Sequence, residues 1–393
     1  MKSKSLLPLL ILMVIFSPLA IDIFLPALPM MANEFSVSLT HMQATITVFI
    51  LSLGFGQILS GPLADRYGRR PVAIGGIIIY GLASLLAAMA TSIEFILISR
   101  ILQGLGACSI VVAAFACVRD RYDALQSGMM YSYLNGAICC IPALAPILGN
   151  VLTEYFGWRS NFEFMAIYAL FAGLVIAFTL KETRPIQTKQ HKRLISISRY
   201  LPILKNPIFL FHSMVVMLAM AIILAYVSSS PAWLMAKLGL SRSDFVFWFS
   251  LNAALNIAAC LLAPKLLRSW GARKTIGVGL LMLLSAGLLM LTLLGLNSPI
   301  GFMLPVMFSS LGFSLLMGAC SGQALAPFGD NAGTASALLG FIQMSGAAVV
   351  VALLQFLPIN AAEQLTLLML LAIPVYVLWK LPRLKKQIMY KAS

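Results

Sequence analysis

The sequence predicts an all-α membrane protein with twelve transmembrane helices in two six-helix bundles and both termini in the cytoplasm. Three observations lead there. The 393 residues are 61% hydrophobic and only 10% charged, whereas roughly a quarter of a soluble domain is charged. The apolar residues gather into twelve runs, each long enough to cross a hydrocarbon layer about 30 Å thick. Lys and Arg fall almost entirely on one side of the alternating connections, the side that marks the cytoplasm.

The first run extends from Leu6 to about Met31, behind Lys2 and Lys4. A basic start and small residues near Ala20 also fit a secretory signal. The run continues past Asp22 through Phe24, Leu25 and Leu28, so a first crossing accounts for it better. Further runs cover about 42–64, 72–92, 95–118, 129–154, 161–181, 207–235, 243–268, 274–295, 299–322, 332–357 and 362–381.

Assigning the connections alternately inside and outside tests this count. Inside fall Lys2, Lys4, Arg66, Arg69, Arg70, Arg119, Arg121, the run from Lys181 to Lys205, Lys265, Arg268, Arg273, Lys274 and the tail from Lys380 to Lys391. Outside fall only Arg159, Lys237 and Arg242. A miscount by one helix would scramble this asymmetry. The net charge of +15 therefore reads as loops facing anionic lipid. Nucleic acid is not expected as a partner, because the bases are dispersed rather than gathered on one domain.

The longest connection, about Lys181 to Asn206, is basic and follows the sixth run. It divides the chain into an N-terminal bundle, 1–185, a cytoplasmic linker, 186–206, and a C-terminal bundle, 207–393. A faint repeat supports duplication: Arg66-Tyr-Gly68-Arg-Arg70 is echoed by Ser269-Trp-Gly271-Ala-Arg273, with Arg268 in the place of Asp65. Weak sequence similarity is what parallel halves related about the membrane normal retain.

The six cysteines all lie inside apolar runs without Cys-x-x-Cys spacing, so neither a disulfide framework nor a metal site is expected. His41, His191 and His212 are isolated, at expected helix ends or in a loop, and receive no catalytic role. No nucleophile with a base, His-Glu-x-x-His set or paired carboxylates appears, so an enzyme is not expected.

Two full charges lie well inside apolar runs, Asp22 in the first and Arg100 in the fourth. Each costs roughly 2.5 to 3.5 kcal/mol at the bilayer centre even on insertion scales, which makes both functional candidates. At 1.5 Å per residue, Asp22 lies about 24 Å from the cytoplasmic face and Arg100 about 9 Å below the outer face, depths that nearly coincide. The expectation is one shared water-accessible cavity, in which Asp22 takes and releases a proton while Arg100 tunes its proton affinity and competes for it. The alternative is a standing ion pair that only fixes the first crossing against the fourth. Gly104 and Gly106, just after Arg100, are expected to let another helix approach closely. Pro142, Pro146 and Gly149 are expected to kink or loosen the fifth crossing.

Seven stretches occur in one order: Asp22-Ile-Phe-Leu-Pro26-Ala-Leu-Pro29, Gly61-Pro-Leu-Ala-Asp65-Arg66-Tyr-Gly68-Arg69-Arg70-Pro71, the Arg100 motif, Val118-Arg119-Asp120, the proline-rich fifth run, Lys181-Glu182-Thr183-Arg184-Pro185, and Asp330-Asn-Ala-Gly333-Thr-Ala-Ser336. Together, over about residues 16 to 345, they resemble the drug:proton antiporters of the bicyclomycin and chloramphenicol resistance (Bcr/CflA) subgroup of the major facilitator superfamily. The resemblance implies a monomeric antiporter of the bacterial inner membrane that exports small lipophilic drugs by alternating access, driven by the proton gradient without a cofactor. It implies that Asp22 is the proton and substrate site, assisted by Arg100. It further implies a conformational latch of Gly61, Asp65, Arg66, Gly68, Arg69, Asp120 and Gly333, with Asp65 facing the start of the eleventh helix near Gly333 and Arg69 near Asp120. A carboxylate at a helix N-terminus meets free amides and the positive dipole end.

Some relatives carry a second acid two turns before the aspartate; this chain has Val14 there, which weakens any claim to export dications. One proton entering down 100 mV yields about 2.3 kcal/mol, and each pH unit adds about 1.4. Exchange for a neutral drug uses both, an ideal gradient of a few hundredfold at one pH unit; one-for-one exchange for a monocation cancels the voltage and leaves about tenfold. A neutral or zwitterionic, phenicol-like substrate is therefore expected. Candidates to line its pocket are Phe49, Asn135, Tyr226, Asn252, Asn256, Gln323 and Gln343, since amides inside apolar helices need partners. Proton-coupled transport of a nutrient or metabolite is the alternative, needing no different topology.

Overall fold

The structure, a computed structural model, describes residues 6–121, 124–184 and 197–381. They fall into two compact units, Met1–Ile195 and Ser196–Ser393.

The first unit begins with a broken helix: α1 (Leu6–Val14), α2 (Phe16–Asp22), a 3-10 turn over Leu25–Ala27, and α3 (Leu28–Glu34). The break follows from proline chemistry, because Pro26 has no N–H to give the carbonyl four residues earlier, that of Asp22. Asp22 is therefore the last residue of α2. Next come α4 (Leu39–Tyr67), α5 (Arg69–Ala88), α6 (Ile93–Arg121), α7 (Ala124–Phe156) and α8 (Arg159–Thr179). Ser38 caps α4, its Oγ accepting from the His41 N–H at 3.1 Å. The loop expected between the second and third runs shrinks to one residue. Helix α4 runs through Pro62 and Asp65 to Tyr67, Gly68 takes φ 106° and ψ 160°, and α5 starts at Arg69. Outward-facing apolar side chains such as Leu82 (58% exposed) and Phe178 (85%) suit a solvent of lipid rather than water.

The second unit contains α9 (Ile197–Leu204), α10 (Pro207–Pro231) with a π-helical extension over Ala232–Lys237, α11 (Arg242–Leu293), α12 (Pro299–Leu325), α13 (Ala332–Phe341), a π-helical turn over Ile342–Gly346, α14 (Ala347–Gln355), α15 (Ala361–Leu370) and α16 (Ala372–Lys380). Starts are set by caps: Asn206 accepts from the N–H groups of Ile208 and Phe209 ahead of α10, Ser298 serves α12, and Asn360 and Glu363 form a reciprocal capping box on α15. Residues 197–204, expected as linker, are helical. Ile203 of α9 is buried with Phe209, Ala324, Ala335, Leu338 and Leu339, an apolar anchor that a charged-linker reading overlooks. Residues 186–196 lie outside the described ones.

Among the described residues, eleven helical stretches are long and apolar enough to span a bilayer. The runs expected at 243–268 and 274–295 join into α11, 52 residues long and broken at Gly271 (φ 74°, ψ 161°). At 1.5 Å per residue its path is about 78 Å, more than twice a hydrocarbon core.

Candidate functional site

Asp22 is 3% exposed, and its carboxyl has no hydrogen bond or ion pair among the described residues. Arg100, on α6, is wholly buried and wholly occupied. Its Nε donates to the Thr45 carbonyl at 3.0 Å, Nη2 to the Ala20 carbonyl at 2.8 Å, and Nη1 to Oε1 of Gln103. The guanidinium lies 4.9 Å from the Phe24 ring centroid and 4.3 Å from that of Phe49, distances at which a cation gains from the ring faces. Gln103 passes the connection on, donating to Ser84 on α5 at 2.7 Å.

No Asp22–Arg100 ion pair is present among the described residues; Arg100 bonds instead the backbone two residues before Asp22. Arg100 instead ties α2, α4, α5 and α6 together around the break. Phe49, expected among the pocket residues, is fully buried as the floor beneath this guanidinium. An acid at a helix break, with no counter-ion bonded to it, gains or loses a proton without rupturing an ion pair.

The α4–α5 junction collects most of the other expected residues. The Nε of Arg69, 1% exposed, meets Asp120 Oδ2 at 2.7 Å, its Nη2 meets Oδ1 at 3.3 Å, and its Nη1 reaches Asp65 Oδ1 at 2.8 Å and the Ala64 carbonyl at 2.6 Å. Asp65 is thus helical and paired within its own unit, with Arg119 3.8 Å away. Arg66 lies over the Tyr67 ring at 5.5 Å. Gly61 sits within α4, and Gly333 belongs to the second unit, as the second residue of α13.

Glu182 completes the junction, a role the sequence did not single out. From the segment after α8 its carboxylate accepts from the N–H groups of Arg69 at 2.9 Å and Arg70 at 3.2 Å, the free amides at the start of α5. It also accepts from the amides of Thr183 and Arg184, each at 2.9 Å. Partial burial pushes the Glu182 carboxyl up, and the backbone donors of Arg184, Arg69, Arg70 and Thr183 outweigh it, so the net shift is downward. Arg184 in turn donates to the carbonyls of Asp65 and Arg66, and Thr183 Oγ1 to Asp120 at 3.3 Å. A Cβ on Gly68 would strike the Glu182 carboxylate, so this residue answers to both a positive φ and a crowded approach.

Helix α7 continues through Pro142 and Pro146. At Gly149 any side chain would overlap the carbonyl oxygen of Ile23, the residue after Asp22. Gly104 and Gly106 likewise pack against backbone, that of Phe49 and of Gly76 and Tyr80. The side chain of Asn135 lies outside the described ones.

In the second unit Tyr226 is 2% exposed and stacked on Phe249 at 5.4 Å. Asn252, one turn before Asn256 on α11, is 5% exposed, and its Oδ1 has no hydrogen bond among the described residues. Asn256 Oδ1 accepts from Ser314 on α12 at 3.3 Å, a bond between neighbouring helices. Gln323 is half-buried on α12, and Gln343 half-buried in the π-helical turn. His212 is not at a helix end: it is fully buried within α10, with Nδ1 2.8 Å from the Ile208 carbonyl.

Many apolar spanning helices, a broken first helix and buried charges beside the break define a multi-pass membrane transporter, not an enzyme. Residues 10–351 match the Major Facilitator Superfamily, and the chain belongs to it. The multidrug resistance proteins MdtL of Salmonella dublin and Salmonella typhimurium are each 33% identical to it over 356 residues, 90% of this chain and 88% of theirs. Among solved structures, a D-xylose–proton symporter superposes with a TM-score of 0.77 at 14% identity, over 97% of this chain and 98% of that one. A bacterial homologue of the human lysosomal transporter Spinster gives 0.77 at 17%, over 100% of both chains. The structural likenesses establish the shared fold, and the relatives place the chain in the bacterial inner membrane.

Proposed function

We propose that the protein is a proton-coupled drug exporter of the Bcr/CflA kind, working by alternating access. The observation that carries this reading is Asp22, a buried acid at the break of the first helix with no bonded counter-ion among the described residues. Broken helices with freed carbonyls are where secondary transporters place coupling sites. The multidrug resistance relatives support the direction and the cargo class. The break of α11 at Gly271 supports twelve crossings, and the basic inner connections support cytoplasmic termini. Two six-helix bundles, 1–185 and 207–393, and a monomeric state complete the proposal. The Asp65–Arg69–Asp120 charge system serves as the latch, and one acid per cycle favours a neutral or zwitterionic, phenicol-like drug.

The test is efflux from vesicles under an imposed proton gradient, following a phenicol and a lipophilic cation. The intact chain exports the phenicol and responds to membrane voltage, whereas Asp22→Asn loses gradient-driven export. Inward-driven uptake would replace this reading with nutrient transport.

A further inference from the structure

The first crossing does not hold its line by its own backbone. Pro18 has no N–H for the Val14 carbonyl, and the helix is interrupted at Ile15, between α1 and α2. Pro26 deprives the Asp22 carbonyl in the same way, and α2 ends there. Asp22 is thus carried on a helix of only seven residues, Phe16–Asp22, with an interruption on either side.

Side-chain donors from three other helices are spaced along this crossing. The Tyr168 hydroxyl on α8 donates to the Leu12 carbonyl of α1 at 2.7 Å. The Tyr80 hydroxyl on α5 donates at 3.2 Å to the carbonyl of Phe16, the first residue of α2. Arg100 on α6 donates at 2.8 Å to the carbonyl of Ala20, two residues before α2 ends. The acceptors recur every fourth residue, close to one helical turn, so they form a row along the crossing. A carbonyl has two lone pairs, and each can take a side-chain donor beside a backbone amide.

Both tyrosine rings also pack on the Phe16 ring, their centroids 4.9 Å away for Tyr80 and 4.8 Å for Tyr168. Ring packing alone would need only phenylalanine. The hydroxyls add direction: α2 is held at its first residue by Tyr80 and near its last by Arg100, and α1 is held by Tyr168 across the interruption. Fixing both ends of so short a helix fixes Asp22 with it.

We propose that Tyr80 and Tyr168 are positioning residues for proton coupling. They hold the two pieces of the first crossing in register, so that Asp22 stays where it trades its proton for drug. They act through the backbone rather than on the carboxyl. The proposal rests on Asp22 being the coupling acid.

The test uses the full chain in liposomes with a labelled phenicol and compares two rates. One is export under an imposed proton gradient. The other is drug–drug exchange without a gradient, which needs alternating access but moves no net proton. Tyr80→Phe and Tyr168→Phe each remove one oxygen and keep the ring. Each slows gradient-driven export about fivefold, the effect of one lost hydrogen bond, while exchange keeps the parent rate. Tyr155→Phe, at a residue 73% exposed, changes neither rate. Equal slowing of export and exchange would reduce the hydroxyls to packing and overturn the proposal, as would unchanged export in either variant. Both results leave Asp22 as the coupling acid. Gradient-driven export that persists in Asp22→Asn overturns the coupling reading itself, and this proposal with it.

Discussion

Gly68 in the first unit (φ 106°, ψ 160°) and Gly271 in the second (φ 74°, ψ 161°) turn the chain in the same way between two long helical segments. Their surroundings differ. Around Gly68, Glu182 caps the second segment and a buried Arg69–Asp120 pair fixes it to α6. Around Gly271 no atom stands within 4 Å of where a Cβ would be, and Arg268, Arg273 and Lys274 are exposed, Lys274 lying 5.3 Å from the Trp270 ring centroid. The same asymmetry runs through the interiors. Among the described residues, Asp22, Arg69 and Arg100 are buried in the first unit, whereas the buried polar groups of the second are hydroxyls, Asn252 and His212. The comparison teaches that the two units share a backbone device without sharing the charges around it. Charge handling is concentrated in the first unit.

The largest expected break of this comparison is Arg69→Ala, which leaves Asp120 buried without its partner and costs about 3–5 kcal/mol. In the second unit the place of Arg69 is held by Ala272, and Arg273→Ala, at the neighbouring exposed arginine, stays within about 0.5 kcal/mol. Thermal unfolding in detergent separates them. Next come the two glycines. Gly271→Ala costs about 1 kcal/mol for its positive φ, and Gly68→Ala about 3, because strain adds to the collision with Glu182.

The smallest effect sharpens the contrast through pH. Glu182→Gln weakens the α5 cap by about 1 kcal/mol at neutral pH. Because the folded Glu182 holds its proton less tightly than an unfolded glutamate, its stabilisation is full above about pH 4.3, the unfolded value. It is lost as pH falls through the lower folded value. Unfolding midpoints between pH 6 and 3 therefore decline more steeply in the parent than in Glu182→Gln, and a parallel decline would remove Glu182 from the junction.

Hydropathy and the charge of the connections carry most of the fold in the sequence, because an apolar run of about twenty residues spans lipid as a helix and lysines and arginines mark one side. Asp22 and Arg100 stand out for the same reason. Other features hide because they depend on distance in the chain: Glu182 meets Arg69 across 113 residues, and nothing local to Lys-Glu-Thr-Arg announces a cap. Asp65 reads as loop because its neighbours are charged, yet α4 carries it to Tyr67. Phe49 reads as pocket because it is aromatic and central, and its contact with the Arg100 guanidinium is made by a residue far along the chain. Tyr80 and Tyr168 escape attention because the carbonyls they meet lie 64 and 156 residues away.

Proton release on drug binding tests the central claim most directly, measured in weakly buffered detergent solution with a pH-sensitive dye and a phenicol as ligand. The intact chain is expected to release about one proton per drug bound, and Asp22→Asn none. Equal release from both would contradict it, whatever the rest of the first unit's charges do.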